Sequence, residues 1–360
     1  GNRVTCRDWF QLSLKEGLTV YREHQFAIDQ GSPGVTRIRQ VRTMREIQFP
    51  EDGGPRAHPV RPESYVEMNN FYTITVYEKG GEVIRMIAQM AGRDAFITAV
   101  RHYLDKHDGQ AVTIEDFVVA MEESTGLDLA QFRHWYAQAG TPRVRVATDF
   151  EDGRLQLTLS QHTPATPDQN DKPLFDIPVE IALFDAEGAP VREAEVLRLN
   201  SAEQSWTFDG FDAEPTVSAL RGFTAPVRLE YEQSDEALAR LMAHDSDPFN
   251  RWEAGQRLAL DVGDVFILAT DGVYEYMDDA TLIDTIAVHE HDLDTAAARI
   301  VEMAYEHGSH DNLTVQIVRV DSLDEQDPDD IAERLTDLAF APALEPRMTF
   351  EGYEIVRTLH

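Results

Sequence analysis

Two regions of this sequence hold residues whose types and spacing suit chemistry. Near one end, Glu16 closes an apolar helical stretch, Trp9-Phe10-Gln11-Leu12-Ser13-Leu14-Lys15-Glu16, in which Trp9, Leu12 and Glu16 fall near one face. A carboxylate at the inner end of such a helix needs a partner, because burying a bare charge is costly. A metal ion is one such partner; solvent or an arginine is the other. On this stretch alone both readings stand, and Gly17 reads as the helix stop. Near the other end, Asp271 follows the apolar run Val265-Phe266-Ile267-Leu268-Ala269, and Asp311 lies in Gly308-Ser309-His310-Asp311-Asn312 before a second apolar run. Hard divalent cations take carboxylate oxygens, and two such ions bridged by water make a hydrolytic nucleophile. A single Asp-Gly after a strand, by contrast, is an ordinary turn.

The elements that must position these residues follow from hydrophobic period. Residues 18–66 carry Pro33, Pro50, Pro55, Pro59 and Pro62 around Asp52-Gly53-Gly54 and read as an irregular connection with short helices at best. Val83, Ile84, Ile87, Met90 and Ala91, then Phe96, Val100 and Leu104, recur at helical spacing. Thr113-Ile114-Glu115-Asp116 is a helix start with early acids, and Leu129 to Ala137 predicts a further helix. The period changes at Gly140-Thr141-Pro142. Alternating runs at 144–146, 155–159, 179–184 and 227–231, separated by turns such as Asp152-Gly153 and Glu187-Gly188, predict an antiparallel β-sandwich. Ser234 to Leu258 reads as helical, and 261–321 as a strand–helix–helix–strand unit with its two strands side by side.

Composition bounds the function. The 360 residues hold 32 Lys and Arg against 65 Asp and Glu, a formal charge of −33. The excess grows along the chain: residues 259–360 carry 5 basic and 24 acidic residues and no Lys. That composition break marks a boundary near 259. It argues against nucleic-acid binding, which wants a basic patch. A single cysteine, Cys6, excludes an internal disulfide framework and a Cys-rich zinc site. No apolar run approaches the roughly 18–20 residues of a membrane span. The expected setting is cytoplasmic. The chain starts at Gly1, so a fragment of something longer is expected.

The stretches Gly1-Asn2-Arg3-Val4-Thr5-Cys6-Arg7-Asp8-Trp9-Phe10, Leu14-Lys15-Glu16-Gly17, Glu67-Met68-Asn69-Asn70-Phe71-Tyr72 and Val76-Tyr77-Glu78-Lys79-Gly80 resemble the zinc aminopeptidases of the thermolysin-like superfamily. The resemblance is to the bacterial aminopeptidase N (alanyl aminopeptidase) family and runs from Gly1 to about Leu258. It implies that Glu16 is the third zinc ligand, that Tyr77 hydrogen-bonds the tetrahedral oxyanion, and that Asn69 and Glu78 contact a peptide substrate. The family's His-Glu-x-x-His helix, which carries two zinc ligands and the general base, and its Gly-x-Met-Glu-Asn segment do not occur in this sequence. Its twelve His include no i, i+4 pair. The chain alone is therefore expected to be inactive.

From about Ala259 the sequence instead resembles the C-terminal end of metal-dependent type 2C Ser/Thr protein phosphatases. By that resemblance Asp271 and Asp311 are ligands of a Mn or Mg pair. Gly352-Tyr353-Glu354-Ile355-Val356-Arg357 resembles the first strand of a protein kinase. The expected fold class is multidomain α+β. A helical half of a thermolysin-like catalytic domain (1–140) leads to a β-sandwich (141–232) and the start of a C-terminal α-helical domain (233–258). A partial α/β phosphatase unit (259–321) and an acidic linker with a kinase-like stub (322–360) follow. The expected function is a fragment of a zinc-dependent aminopeptidase joined to a partial phosphatase. The alternatives are a phosphatase–kinase signalling protein and a non-catalytic interaction module.

Overall fold

Gly17 does not end the first helix. In the computed structural model, which describes residues 3–65, 67–167, 169–258 and 263–320 and the backbone of 349–350 and 353–354, helix α1 runs over Leu12–Gln30. Gly17 is buried where α1 crosses a later helix. A Cβ there would stand 2.7 Å from the backbone carbonyl carbon of Gly80. The glycine is thus a packing requirement rather than a stop.

The region expected to be irregular is also largely helical. Helix α2 (Pro33–Thr43) starts with Ser32 accepting from the Val35 N–H and Pro33 in its first turn. A π-helical turn (Met44–Gln48) leads to α3 (Phe49–Gly53), again with a proline in its first turn. At Pro33 proline is tolerated because the missing N–H would have no intrahelical partner. Pro33 and Pro50 lie in first helical turns, Pro55, Pro59 and Pro62 in the non-helical stretch after α3, and Val41, Met44 and Phe49 are buried.

A second π-helical turn, Thr75–Lys79, runs into α4 (Gly80–Ala91), followed by α5 (Arg93–Lys106) and α6 (Ile114–Thr125). At the start of α6 the Thr113 side chain accepts from the Asp116 N–H, while the Asp116 carboxylate accepts from the Thr113 N–H. This reciprocal pair satisfies donors that a helix start leaves free. Where one helix was expected over 129–137, a short 3₁₀ turn (Gln131–Arg133) precedes a single-turn α7 (His134–Ala137). Two-residue strands β1 (Thr5–Cys6) and β2 (Ala111–Val112) pair in parallel and tie the N-terminal segment to the entry of α6.

The sandwich consists of β3 (Arg143–Glu151), β4 (Arg154–His162), β5 (Ile177–Phe184), β6 (Glu195–Leu199), β7 (Glu203–Asp209), β8 (Thr216–Ala219) and β9 (Arg228–Glu230). They form sheets of order β7-β4-β3-β9 and β6-β5-β8. Val144, Val146, Leu155, Leu157 and Leu159 of one sheet and Ile177, Val179, Ile181 and Leu183 of the other are buried, as alternation requires. One strand departs from the antiparallel expectation. β9 pairs with β3 in parallel, because the chain leaves β8 in the second sheet, turns through Arg221–Phe223, and returns beside β3. A single apolar core continues from the helices into the sandwich, from Val83 and Phe117 through Trp135 and Phe175 to Phe223 and Phe249. Helices α8 (Asp235–His244) and α9 (Pro248–Arg257) close this part.

The chain divides into two compact units, Gly1–Leu258 and Ala259–His360. In the second, β10 (Val265–Ala269) leads into a one-turn α10 (Asp271–Tyr274), then α11 (Asp279–Val288), α12 (Leu293–Glu306) and β11 (Val315–Arg319). β10 and β11 pair antiparallel, Val265 opposite Arg319 and Ala269 opposite Val315. The helices pack Leu282, Ile300 and Ala304 against Ile267, Ala269, Val315 and Ile317. Residues 259–262, the acidic stretch and most of the kinase-like stub lie outside the described residues. Taken together, the structure is a mixed helical and sheet multidomain fold.

Gly17→Ala tests the crossing. Alanine in a helix is favoured over glycine by about 1 kcal/mol, but here the new methyl meets backbone that cannot rotate away. Overpacking of this kind costs about 1–3 kcal/mol. We expect net destabilisation in urea unfolding; an unchanged or raised midpoint would show that the helices can separate freely.

Candidate functional site

The α1–α4 crossing builds the site. A Cβ on Gly80 would lie 2.2 Å from Ser13 Oγ, and that hydroxyl donates to the Val76 carbonyl at 2.9 Å. Backbone therefore lies against backbone, and the π-helical turn ahead of α4 is fixed beside the first turns of α1. A π turn shifts side-chain phase relative to an α-helix and recurs at functional sites. Here it lays the Tyr77 phenol close enough to Glu16 for the carboxylate charge to act on it.

The Glu16 side chain is only 12% exposed, and Lys15 Nζ sits 2.5 Å from its Oε1. The cation that partners the carboxylate in this structure is thus its own neighbour. Lys15 was not singled out in the sequence; a basic residue directly beside an inward-facing acid was the signal available. The Tyr77 phenol is pushed above its ordinary value by burial, then by the neighbouring Glu16 charge. It stays protonated, and so a donor, throughout the neutral range. Around this pair lies an aromatic wall. Trp9 stacks on Phe71 at 6.4 Å, Tyr72 approaches Tyr77 at 6.4 Å, and Phe10 meets Phe71 edge-on at 5.7 Å. Trp9 and Tyr72 remain 41% and 48% exposed, a surface fit for an apolar side chain of a ligand.

The other expected site residues are placed differently. Asn69 is exposed on the 3₁₀ turn Met68–Phe71, which bears the aromatic wall. Glu78 follows Tyr77 in sequence but turns elsewhere: its Oε2 lies 3.6 Å from His24 Nε2. His24 is two helical turns beyond Glu16 on α1, about 12 Å along the axis. Burial, then the neighbouring Glu82 and Glu23 charges, push the Glu78 carboxyl up. Burial likewise pushes the His24 imidazole down. The structure thus joins Glu16 with Tyr77 and leaves Glu78 to His24.

Asp271 and Asp311 stand at one end of the β10–β11 pair. Thr270 N donates to Thr314 O at 3.1 Å, and a Cβ at Gly272 would lie 3.1 Å from Asp311 Cβ. Each carboxylate accepts from the backbone N–H of the residue after it, Gly272 at 3.0 Å and Asn312 at 2.7 Å. That is the local bonding by which Asp makes a turn. Among the described residues no group of three or more His, Cys, Asp and Glu is arranged to hold a metal ion, and no helix is long and apolar enough to cross a membrane.

The fold agrees with what the chain is similar to. Residues 1–136 match the Peptidase family M1 domain. Residues 140–232 match a domain of unknown function (DUF3458) with an Ig-like fold, and 235–341 its companion DUF3458_C, described as ARM repeats. Aminopeptidase N of Escherichia coli strain K12 is 52% identical over 267 residues, covering 72% of this chain and 31% of that protein. Aminopeptidase N of Caulobacter vibrioides is 47% identical over 264 residues, covering 73% and 31%. Among solved structures, aminopeptidase A of Legionella pneumophila in complex with aspartic acid matches with a TM-score of 0.62 and 31% identity, over 71% of this chain and 28% of that one. The chain therefore spans under a third of the length of these relatives. Over its N-terminal part the chain is similar to the M1 peptidases of the aminopeptidase N type, a family of zinc-dependent hydrolases. The comparisons give no support for a phosphatase or kinase part, or for a Mn or Mg site.

Proposed function

We propose that this chain is the segment of a zinc-dependent aminopeptidase that presents one metal-binding carboxylate and the oxyanion donor. The observation carrying this reading is the largely buried Glu16 carboxylate beside the Tyr77 phenol, both held by the α1–α4 crossing. The reaction proposed for the whole enzyme is hydrolytic removal of the N-terminal residue of a peptide. Glu16 would be a zinc ligand. Catalytic zinc takes three protein ligands, and the described residues offer one, so they do not by themselves fit the ion. Accordingly, isothermal titration of the full chain with zinc is expected to show no stoichiometric submicromolar site; such a site would contradict this account.

Tyr77 would donate its O–H to the oxygen on which negative charge develops. A preorganised donor in a half-buried site costs no reorganisation at the moment of reaction. Asn69 and Glu78 complete the proposal as substrate contacts, the first from an exposed turn, the second through a carboxyl that faces His24. The test is a graft: residues 1–258 replace the matching segment of the E. coli relative, and hydrolysis of an alanyl substrate is followed. The graft is expected to be active. Tyr77→Phe in it should lower kcat by about 10²–10³ with little change in KM, the loss typical of one oxyanion donor. An active graft whose kcat ignores Y77F would remove Tyr77 from the chemistry.

A divalent-cation role for Asp271 and Asp311 is the second reading. Their shared sheet end favours it; their engagement with local backbone favours a turn.

A further inference from the structure

Four residues of the π-helical turn Thr75–Lys79 are tied to another element, and Tyr77 stands between the ties. Thr75 donates from its N–H and its hydroxyl to Glu51 Oε1 on α3, at 3.0 and 2.7 Å. The Val76 carbonyl accepts from Ser13 Oγ on α1 at 2.9 Å. Lys79 Nζ reaches Asp52 Oδ2 on α3 at 2.6 Å. The fourth tie is Glu78, whose Oε2 lies 3.6 Å from His24 Nε2. The first three are hydrogen bonds to α3 and to the start of α1. Only the fourth reaches α1 beyond the crossing at Gly17.

Glu78 needs that tie. Its side chain is 22% exposed, and burial, then the Glu82 and Glu23 charges, push its carboxyl up. Glu82 is already held by both guanidinium nitrogens of Arg37. Among the described residues no lysine or arginine pairs with Glu78, and His24 is the basic side chain it meets. His24 is itself enclosed: Glu23 stands beside it on α1, Glu82 and Arg85 face it from α4, and Arg37 faces it from α2. A ring held on these sides can in turn hold a neighbour.

We propose that His24 is a positioning residue for the peptidase reaction. It holds Glu78, and through Glu78 it holds the turn that presents the Tyr77 phenol. The role rests on the peptidase reading, in which Tyr77 donates to the oxyanion. Such a donor works only within a narrow distance of the developing charge, and a misplacement of about 1 Å can cost about 10² in rate. A π turn is a rare conformation. Freed at Glu78, it relaxes toward α-helical phase and swings Tyr77 away from Glu16.

The test has two readouts. In the full chain, hydrogen exchange of residues 73–80 should rise about fivefold in His24→Leu, as expected for local loosening. His24→Gln should exchange like the parent, because its amide nitrogen can stand where the imidazole Nε2 stands and donate to Glu78. In the graft of residues 1–258 into the E. coli relative, H24L should lower kcat about tenfold, with KM, zinc content and circular dichroism little changed. H24Q should restore kcat. Glu23→Gln is the control: this exposed acid lies 3.7 Å from the same nitrogen, and its loss should leave kcat at the parent value. Equal losses in H24L and H24Q, or a raised KM with unchanged kcat in H24L, would overturn the proposal. Y77F in the same graft separates the two readings. If Y77F is costly while H24L matches the parent in kcat and exchange, His24 positions nothing. If Y77F is silent, the peptidase reading fails and takes the catalytic role of His24 with it, whatever the exchange shows of the turn.

Discussion

Replacing Asp52 by alanine is expected to destabilise the first unit by about 3–5 kcal/mol, the usual cost of removing one partner of a buried ion pair. Asp52 on α3 and Lys79 in the second π-helical turn are 0% and 1% exposed, with Nζ 2.6 Å from Oδ2. The carboxylate also accepts from the Gly140 N–H at 2.7 Å and the Thr141 hydroxyl at 3.1 Å. Lys79 donates onward to the Gly140 carbonyl at 3.1 Å. The variant would strand an ammonium and a backbone N–H in the interior, at the junction between helices and sandwich. Urea unfolding measures the loss, and a change under 1 kcal/mol would mean that water reaches Lys79.

The same residue sets an acid limb. Burial alone would raise the Asp52 carboxyl; the Lys79 charge and the hydrogen bonds outweigh it and hold the group below its ordinary value. A carboxyl depressed on folding contributes its full stability above its unfolded value, about 3.9, and loses it as pH falls through the folded one. The parent protein should therefore lose stability in acid more steeply than D52A. Parallel curves would contradict this.

Glu82→Ala should cost a similar amount, about 3–5 kcal/mol. Glu82, on α4, is held by both guanidinium nitrogens of Arg37 on α2, at 2.6 and 2.7 Å, with the two side chains 1% and 6% exposed. Arg37 also donates to the Gly222 and Phe223 carbonyls, and Arg85 reaches the latter at 3.1 Å. Burial and then the Arg37 charge push Arg85 down to about 10, against the pull of Glu82. Without Glu82, two guanidiniums face each other with no carboxylate between them. Because Glu82 lies five residues past Tyr77, the loss should also loosen the turn that aims the phenol. The double variant Arg37→Met, Glu82→Leu removes both charges and should recover part of the loss, a coupling of about 0.5–3 kcal/mol. Simple additivity of the two single losses would show that they do not act as a pair.

The helices over 80–106 and the alternating strands at 144–146 and 155–159 were readable because apolar period is a local property, repeated every few residues along one element. The resemblance that singled out Glu16 and Tyr77 was local in the same sense, carried by short runs of residues. Other features depended on distant elements. Gly17 and the prolines at 33 and 50 carry the same local signal whether a helix stops or starts, and burial against α4 and the sandwich settles which. Tyr77 and Glu78 are neighbours in sequence, yet the phase of the π-helical turn sends one to Glu16 and the other to His24. The parallel pairing of β9 with β3 follows from strand register, which no single strand encodes, whereas the pairing of β10 with β11, which sets Asp271 and Asp311 at one sheet end, was expected from the strand–helix–helix–strand pattern. Which charges share a buried space depends on how closely backbones approach, and here that was decided where Gly17 meets Gly80.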